Sequence, residues 1–356
     1  MQLKRVPYGN KLLNCFEHMI VSAASMWDRD EPLHFACSWG FEFKSREEEG
    51  GKSVGERLYN GSYPDRDLAY HIERYFGIRL NTHRPRNTGE LADLVRRELG
   101  RNQPTGVEMD SLWCPFHPVY RKQSLPHNFL ITAFDEAGGK FDCIDSLFSD
   151  RTESIDFFHL EQASVICYTF DRLDPFIPPH WSGIARDAAS CMLDKASGEN
   201  AFDAMRRFAG EVSEGLDVQA ELEQYPWLQT APLFLQLHTI AVNRYKFSET
   251  LACLHRTSGV EELKELSGRL YECGDLWQTA EHLILKSYYM KNRAASLEKV
   301  GSRILRLADA EEELARRLYE LGAQAQADEA CGAHEACEMH KAHKAHGAYG
   351  LPGGLQ

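Results

Sequence analysis

Hydrophobic positions change their spacing about halfway along the chain. From about residue 184 to 323, apolar residues recur every three or four positions, which is the period of an amphipathic α-helix. This spacing predicts helices at Ala185–Leu193, Phe202–Glu214, Pro232–Leu254, Val260–Leu285 and Ala294–Leu321. Before about residue 172, short β-like runs mix with two or three helices and many turn residues. We therefore predict an α+β part followed by an all-α helical part.

A proline-rich segment separates the two parts. The prolines of Asp174-Pro-Phe-Ile-Pro-Pro-His180 lack backbone N–H donors, which disfavours both helix and sheet. We therefore predict domains at 1–172 and 184–323, joined by a linker at 173–183. The last segment, 324–356, is small and polar and ends in Gly and Pro, so we predict a disordered tail.

The tail is also rich in Cys and His at spacings of three. On a helix, Cys337, His340 and His343 would share a face and could hold a soft divalent ion. The spacing matches no closed zinc module, however, so we predict a solvated tail and no functional metal site.

Composition narrows the classes of function. The 356 residues include 40 Lys and Arg against 53 Asp and Glu, a net charge of -13. This charge disfavours nucleic-acid binding and would tolerate a cationic small molecule. Ten cysteines are too few for a disulfide scaffold, so we expect reduced, buried thiols. Those in apolar stretches are Cys143, Cys167, Cys191, Cys253 and Cys273.

The chain also lacks the usual targeting patterns. The N-terminal residues have no apolar core of a signal peptide, and no run of about 18 apolar residues occurs. We therefore expect a cytoplasmic protein without a membrane partner.

The first helix carries the strongest chemical signal. Phe16, Met19, Ile20 and others follow helical spacing through Trp27, and Asn14 is a good N-cap with Glu17 three residues later. Cys15 then opens the helix, where the helix dipole and unpaired N–H groups favour the thiolate. A thiolate is a nucleophile, so Cys15 is a candidate catalytic residue.

A second stretch supplies a candidate base. Asn128–Phe134 and Lys140–Asp145 are predicted strands joined by a turn at 135–139, which would bring His127 opposite residues 145 to 147. A hydrogen bond to Asp145 would fix the tautomer of His127 and support its imidazolium. The order Cys15, His127, Asp145 thus predicts a catalytic triad.

This plan resembles that of papain-like enzymes. The finer pattern resembles the amino-terminal domain of the butirosin-biosynthesis acyltransferase family, which is similar to the cysteine peptidases that process bacteriocin leaders. The resemblance covers residues 1 to about 170 and is carried by Asn14-Cys15, Cys37-Ser-Trp-Gly-Phe-Glu-Phe43, Leu125-Pro-His127 and Asp145.

The resemblance implies an amide-forming acyltransferase of antibiotic-type secondary metabolism. Cys15 would take an acyl group from the phosphopantetheine arm of an acyl or peptidyl carrier protein, and a small amine would then attack the acyl-cysteine. His127 would be the general base and acid, and Asp145 would orient it. No bound cofactor is implied. Papain-like enzymes carry a Gln before the cysteine as oxyanion donor, for which Asn10, and less favourably Asn14, are the candidates here.

Two further features have both a structural and a functional interpretation. Trp39, Phe41 and Phe43 alternate with other residues as in a strand, which favours core packing, although they could instead line an acyl pocket. Arginines near residues 84–101 could dock an acidic carrier protein, but a solvated helix face explains them as well. They are Arg84, Arg86, Arg96, Arg97 and Arg101.

Other functions remain open at this point. The same triad would serve a cysteine peptidase or a thioesterase. A protein of another class, without catalysis, would use the helical part to bind partners, and an exposed apolar patch there could also form a homodimer.

Overall fold

The computed structural model of the chain describes residues 12–29, 31–60, 68–195, 198–225 and 227–347. The fold is mixed α+β with a helical C-terminal part, as the spacing of apolar residues predicts.

The described residues divide into two compact units. Unit 1 is drawn from Met1–Ser38, Ser62–Pro178 and Tyr245–Cys253, and unit 2 comprises the rest. The Pro178–Pro179 border falls inside the predicted linker, but residues 39–61 and 245–253 join the unit on the other side of that border. Helical or strand spacing indicates that a face is buried but not which part of the chain buries it. The sequence therefore could not show that these two segments belong to the other unit.

Unit 1 is built on a six-stranded antiparallel sheet. Its strand order is β3-β8-β4-β5-β6-β7. The strands are β3 (Ile78–His83), β4 (Thr105–Asp110), β5 (Pro126–Asp135), β6 (Lys140–Ile144), β7 (Thr152–Asp156) and β8 (Ile166–Arg172). The helices of this unit are α1 (Cys15–Ala24), α2 (Leu68–Phe76), α3 (Thr88–Gly100) and α4 (Phe157–Gln162), with 3₁₀ segments at Ser25–Trp27, Glu31–Cys37 and Ser111–Trp113.

Successive side chains of each strand point to opposite faces of the sheet, and helices pack on both faces. Val107 and Phe129 belong to a buried cluster with Val95 of α3. The intervening positions face α1, whose Met19 comes so close to Gly106 that a Cβ atom there would lie 2.7 Å from the Met19 sulfur. A glycine on β4 therefore lets α1 lie directly on the sheet and brings its first turn to β5.

The β5–β6 hairpin forms at the predicted turn. Asp135 pairs with Lys140, and its side chain accepts hydrogen bonds from the N–H groups of Ala137 and Gly138. A bulge between Ile131 and Ala133 shifts the register by one position, so that beyond it Leu130 pairs with Ile144. Extended along the strand, this register puts residue 127 across from residue 147.

Unit 2 is almost entirely helical. Its helices are α5 (Trp181–Leu193), α6 (Ala201–Gly215), α7 (Val218–Glu223), α8 (Pro232–Ser258, except 245–253), α9 (Glu261–Tyr288) and α10 (Arg293–Gly347). The remaining elements are the short antiparallel pair β1 (Glu42–Phe43) and β2 (Leu58–Tyr59), with 3₁₀ turns at Gly55–Arg57 and Leu228–Thr230. Helix α10 packs against α5, α6 and α9 and is the centre of the unit.

The aromatic residues considered for an acyl pocket lie in the core of unit 2. Trp39, Phe41 and Phe43 are all buried. The indole of Trp39 donates to Glu311 at 2.8 Å, and the ring of Phe41 stacks on Trp277 at 5.6 Å. Their alternation marked a buried face correctly, but that face is covered by helices of unit 2. Their burial among these helices supports the core-packing interpretation.

Helix α10 extends into the segment for which composition predicts disorder. Its backbone is helical through Gly347, while residues 348–356 lie outside the described part. Ala, Glu, Gln and Lys dominate residues 324–346 and are good helix formers, which explains why low complexity did not prevent a helix here. The side chains of Cys337, His340 and His343 are outside the described residues.

None of the eight cysteines that the structure describes is in a disulfide. Cys143, Cys167, Cys253 and Cys273 are buried as expected, but Cys191 is exposed. The inward positions of α5, among them Ala188 and Met192, leave Cys191 on the outer face, which the apolar character of the stretch concealed. In the part of the chain described above, no helix combines the length and the hydropathy needed to cross a bilayer.

We expect two glycine substitutions in unit 2 to change stability in opposite directions. A Cβ atom on Gly301 of α10 would lie 1.8 Å from the Ser213 hydroxyl and 2.6 Å from the Ala209 carbonyl of α6, whereas one on the exposed Gly268 of α9 meets nothing within 4 Å. Gly301→Ala should therefore lower the free energy of unfolding by about 1–3 kcal/mol through overpacking. Gly268→Ala should raise it by about 0.5–1 kcal/mol through helix propensity. Urea denaturation of both variants checks this, and stabilisation by both would contradict the tight contact.

Candidate active site

The first turn of α1 sets the position of Cys15. Asn14 is the N-cap, and its side-chain oxygen accepts a hydrogen bond from the Glu17 N–H at 2.9 Å. The Glu17 carboxylate accepts one in return from the Asn14 N–H at 2.8 Å, which completes the predicted capping box. Cys15 is thus the first helical residue, at the positive end of the helix dipole.

His127 and Asp145 are brought together at the start of β5 and the end of β6. The His127 Nε2 atom lies 2.9 Å from Asp145 Oδ2, and both residues are almost fully buried, 1% and 2% exposed. The Leu147 N–H donates to Asp145 Oδ1 at 3.1 Å and holds the carboxylate in place. With Nε2 engaged by Asp145, Nδ1 is the ring nitrogen left to interact with Cys15, whose thiol and the His127 imidazole shift each other's pKa.

The electrostatics of the pair favour a thiolate and an imidazolium. Burial acts to raise the pKa of Cys15, but the hydrogen bond and charge of His127, together with hydrogen bonds from Asn128, outweigh it and leave that pKa below its usual value. Burial acts to lower the pKa of His127, but the hydrogen bonds that the imidazolium donates to Asp145 and Cys15 raise it to about 9. The proton is therefore held on the imidazole, and the Cys15 sulfur is a thiolate, which is the nucleophilic form of a cysteine.

Asn128 is a site residue that the sequence did not single out. Its side-chain Nδ2 lies 3.6 Å from the Cys15 sulfur, and its backbone also hydrogen bonds to that sulfur. His127 and Asn128 are neighbours on a strand and leave it on opposite sides, so a sulfur that contacts both lies close to the backbone between them. The Asn128 side-chain oxygen is buried without a hydrogen-bond partner. An amide directly after the candidate base was a usable signal, since amides stabilise thiolates and oxyanions.

We expect Asn128→Leu to raise the pKa of Cys15. The substitution keeps the side-chain volume but removes an amide donor from the sulfur, so less thiolate forms at neutral pH. The rate of Cys15 alkylation at pH 7, followed by peptide mass spectrometry, should fall by about three- to tenfold. Thr132→Val, farther along β5, is the control and should leave the rate unchanged. An unchanged rate in Asn128→Leu would contradict the contribution of the amide.

Three aromatic rings surround the imidazole of His127. The rings of His117, Phe148 and Phe129 lie 4.5, 5.4 and 6.2 Å from it, centre to centre. His117 Nδ1 accepts the Val119 N–H at 3.2 Å. Burial, and then the charge of His127, lower the pKa of His117 to about 4, so it remains neutral. The rings restrict the orientation of His127 without adding a second cation.

A cleft of about 460 Å³ adjoins this cluster of rings. Its walls include Phe148, which contacts His127, and Phe116, which packs edge-on against Phe129 at 5.3 Å. Its rim carries Asp150, Arg151 and Glu153, and Arg151 pairs with Glu153 at 3.0 Å. The cleft is thus apolar on the side towards the imidazole and charged towards the outside.

The sequence offered Asn10 and Asn14 as candidate oxyanion donors. Asn10 lies outside the described residues. The side-chain oxygen of Asn14 caps α1, and the residue is exposed, which makes it a structural N-cap rather than the expected oxyanion donor. The donors that the structure places next to the sulfur are the Asn128 amide and the backbone N–H of Cys15, which at the first helical position has no acceptor within the helix.

A second thiol–imidazole contact lies elsewhere in unit 1. The Cys37 sulfur is 2.9 Å from His71 Nδ1, and the Tyr75 hydroxyl is 3.9 Å from the same sulfur. Cys15 is the stronger candidate nucleophile because it opens a capped helix and its histidine is held by a buried carboxylate.

The arginines considered for carrier docking are largely paired with carboxylates. Arg86 pairs with Glu90, Arg96 with Asp93 and Glu136, Arg97 with Glu98, and Arg101 with Glu98 and Asp171. This pairing supports a solvated surface of mixed charge. Within the described side chains, no group of three or more His, Cys, Asp or Glu residues is placed to hold a metal ion.

Comparison with known proteins does not assign the chain to a family: no family model and no curated protein matches it.

Proposed function

We propose that the protein is a cysteine acyltransferase with a papain-like first domain. The observation that supports this best is the arrangement of Cys15, His127 and Asp145, in which a thiol at a helix N-terminus is close enough to an imidazole, itself held by a buried carboxylate, for each to shift the other's pKa. Acyl transfer through a cysteine needs these three groups in this order of contact.

The chemistry follows from the proton held by His127. The Cys15 thiolate attacks the carbonyl carbon of a carrier-protein thioester, and the phosphopantetheine thiolate leaves with the proton of the imidazolium. The product is acyl-Cys15, with the same type of bond as the donor. An amine then attacks this thioester, His127 accepts the amine proton, and Cys15 leaves as the thiolate. The Asn128 amide, 3.6 Å from the Cys15 sulfur, and the Cys15 N–H would stabilise the oxyanion in each step.

A cysteine peptidase or a thioesterase is the main alternative, because it would use the same triad. The two activities differ in the second nucleophile, which is water in place of an amine. Both second nucleophiles would use His127 as their base, so the two activities are separated by the fate of acyl-Cys15 with and without an amine.

The experiment incubates the full-length protein with acyl-carrier proteins and follows the mass of Cys15. A stable acyl increment on the Cys15 peptide, discharged by an amine into an amide product, is the expected result. Cys15→Ala should show no increment, and Cys191→Ala, which removes an exposed thiol, should behave like the parent. Loss of the increment to water at the same rate with and without amine would favour a thioesterase. No increment with any donor would contradict the proposal.

A non-catalytic function predicts that these side chains do not converge, or that Cys15 reacts with iodoacetamide no faster than a free thiol. The contact of His127 with Asp145 and the mutual pKa shifts of Cys15 and His127 argue against the first of these.

A further inference from the structure

A buried ion pair lies at the first turn of α1, the helix that Cys15 opens. The Lys246 Nζ atom is 2.7 and 2.8 Å from the two carboxylate oxygens of Glu17, and both residues are buried. Lys246 belongs to the segment of α8 that forms part of unit 1. Its ammonium group also lies 5.5 Å from the ring of Phe35, which packs against Leu13 just before the helix.

The same carboxylate closes the capping box. Glu17 accepts the Asn14 N–H, while its own N–H donates to the Asn14 side chain. Lys246 therefore holds the group that orients the residue immediately before Cys15. A long carboxylate side chain has considerable rotamer freedom, and a two-oxygen contact to a buried ammonium removes it.

We propose that Lys246 is a positioning residue for Cys15: it immobilises Glu17 of the capping box and cancels the charge that this carboxylate would otherwise place beside the thiolate. The proposal goes beyond acyl transfer, although it rests on Cys15 as the nucleophile. It assigns a role at the active site to a residue 229 positions away from Glu17 in the chain.

Removing the ammonium or the carboxylate alone should shift the pKa of Cys15 in opposite directions. In Lys246→Met an uncompensated carboxylate remains near the sulfur, which disfavours the thiolate and raises the pKa of Cys15. In Glu17→Gln an uncompensated ammonium remains, which favours the thiolate and lowers it. Each shift should be about one unit, a tenfold change in thiolate below the midpoint. The double variant is neutral, and Gln still serves in a capping box, so its pKa should return to the parent value.

The other titratable groups around the sulfur are unchanged in these variants. They are His127 of β5, Asp145 after β6, His117 beside His127 and His18 of α1. A general loosening of the site would change the rate in the same direction in both single variants, whereas the proposed role gives opposite signs.

The experiment measures the rate of iodoacetamide alkylation of Cys15 against pH in the full-length protein, by peptide mass spectrometry. Exposed Cys191 in the same molecules is the internal reference. The expected result is a midpoint about one unit higher in Lys246→Met, one unit lower in Glu17→Gln, and at the parent value in the double variant. Shifts of the same sign, or an unmoved midpoint in either folded single variant, would overturn the proposal.

If neither single variant folds, the neutral double variant tests whether the ion pair positions Cys15. A parent midpoint together with slower acyl transfer supports positioning by the ion pair, and a midpoint displaced by one unit overturns it. The alkylation midpoints need no acyl donor, so they can be interpreted even where the test of acyl transfer fails. A parent Cys15 that reacts no faster than Cys191 would instead count against the proposed nucleophile.

Discussion

His127→Ala is expected to acylate Cys15 about 10²–10⁴ times more slowly than the parent protein. The imidazole supplies the hydrogen bond and charge that keep the thiol ionised, and it also protonates the leaving thiol of the donor. Removing it leaves a half-buried thiol at a helix N-terminus with only the Asn128 hydrogen bonds to favour its thiolate. Single-turnover acylation with a carrier-protein thioester measures the effect.

The matched control is another histidine of unit 1. His159 also hydrogen bonds to an aspartate, Asp156 at 2.6 Å, and to the Tyr120 hydroxyl at 2.9 Å. His159→Ala removes a comparable contact and should acylate Cys15 at the parent rate. A parent rate in His127→Ala, or an equal loss in both variants, would show that His127 is not the base.

The pH dependence of the parent follows from the same two groups. The lowered pKa of Cys15 means that the thiolate persists at pH values below the usual range of a thiol, and the raised pKa of His127, about 9, means that the imidazolium persists up to that pH. Acylation should therefore rise through the pKa of Cys15 and fall as the pH passes about 9. In His127→Ala the alkaline fall should disappear and the acid limb should move to higher pH. A profile that still rises above pH 9 in the parent would contradict the ion pair.

Glu311→Ala is expected to lower the free energy of unfolding by about 3–5 kcal/mol. Glu311 of α10 and Arg244 of α8 form a two-point ion pair at 2.9 and 3.1 Å, and both are 0% exposed. The indoles of Trp39 and Trp277 donate to the same carboxylate, each at 2.8 Å, and Arg244 also donates to the Gly40 carbonyl. Removing the Glu311 carboxylate leaves the buried Arg244 guanidinium and the two buried indole N–H groups without this acceptor.

Urea denaturation of the full-length protein measures this loss, and Glu313→Ala is its control. Glu313 lies two residues away on the same helix and pairs with Arg269 at 3.2 Å on the surface, where solvent screens the charges. Its substitution should leave the midpoint nearly unchanged. A loss of stability confined to Glu311→Ala would confirm that the burial of this ion pair, and not ion pairing alone, accounts for its contribution to stability. Equal losses in the two variants would contradict this.

The sequence was sufficient for features that depend on local spacing. The capping box of Asn14 and Glu17 and the turn after Asp135 were predicted and are present, because their hydrogen bonds join residues three or fewer positions apart. The contact of His127 with Asp145 was also predicted, since it follows from the register of one short hairpin.

Contacts between distant segments could not be obtained in this way. Trp39 and its neighbours were recognised as a buried face, but the helices that cover them come from residues at least 165 positions later. Lys246 was one polar residue in a long helical pattern, and nothing in its local sequence indicates a partner on α1.

The chain alone thus determined the helical character of the C-terminal part, the helix-terminal cysteine and the histidine–aspartate pair, because period, capping and hairpin register are short-range properties. Only the tertiary structure decided that Asn128 reaches the sulfur, that Lys246 pairs with Glu17 of the capping box, and that the aromatic residues lie in another core. These contacts depend on which surfaces pack together, and that choice is made by the total burial of apolar and polar groups over the whole chain rather than by any one segment.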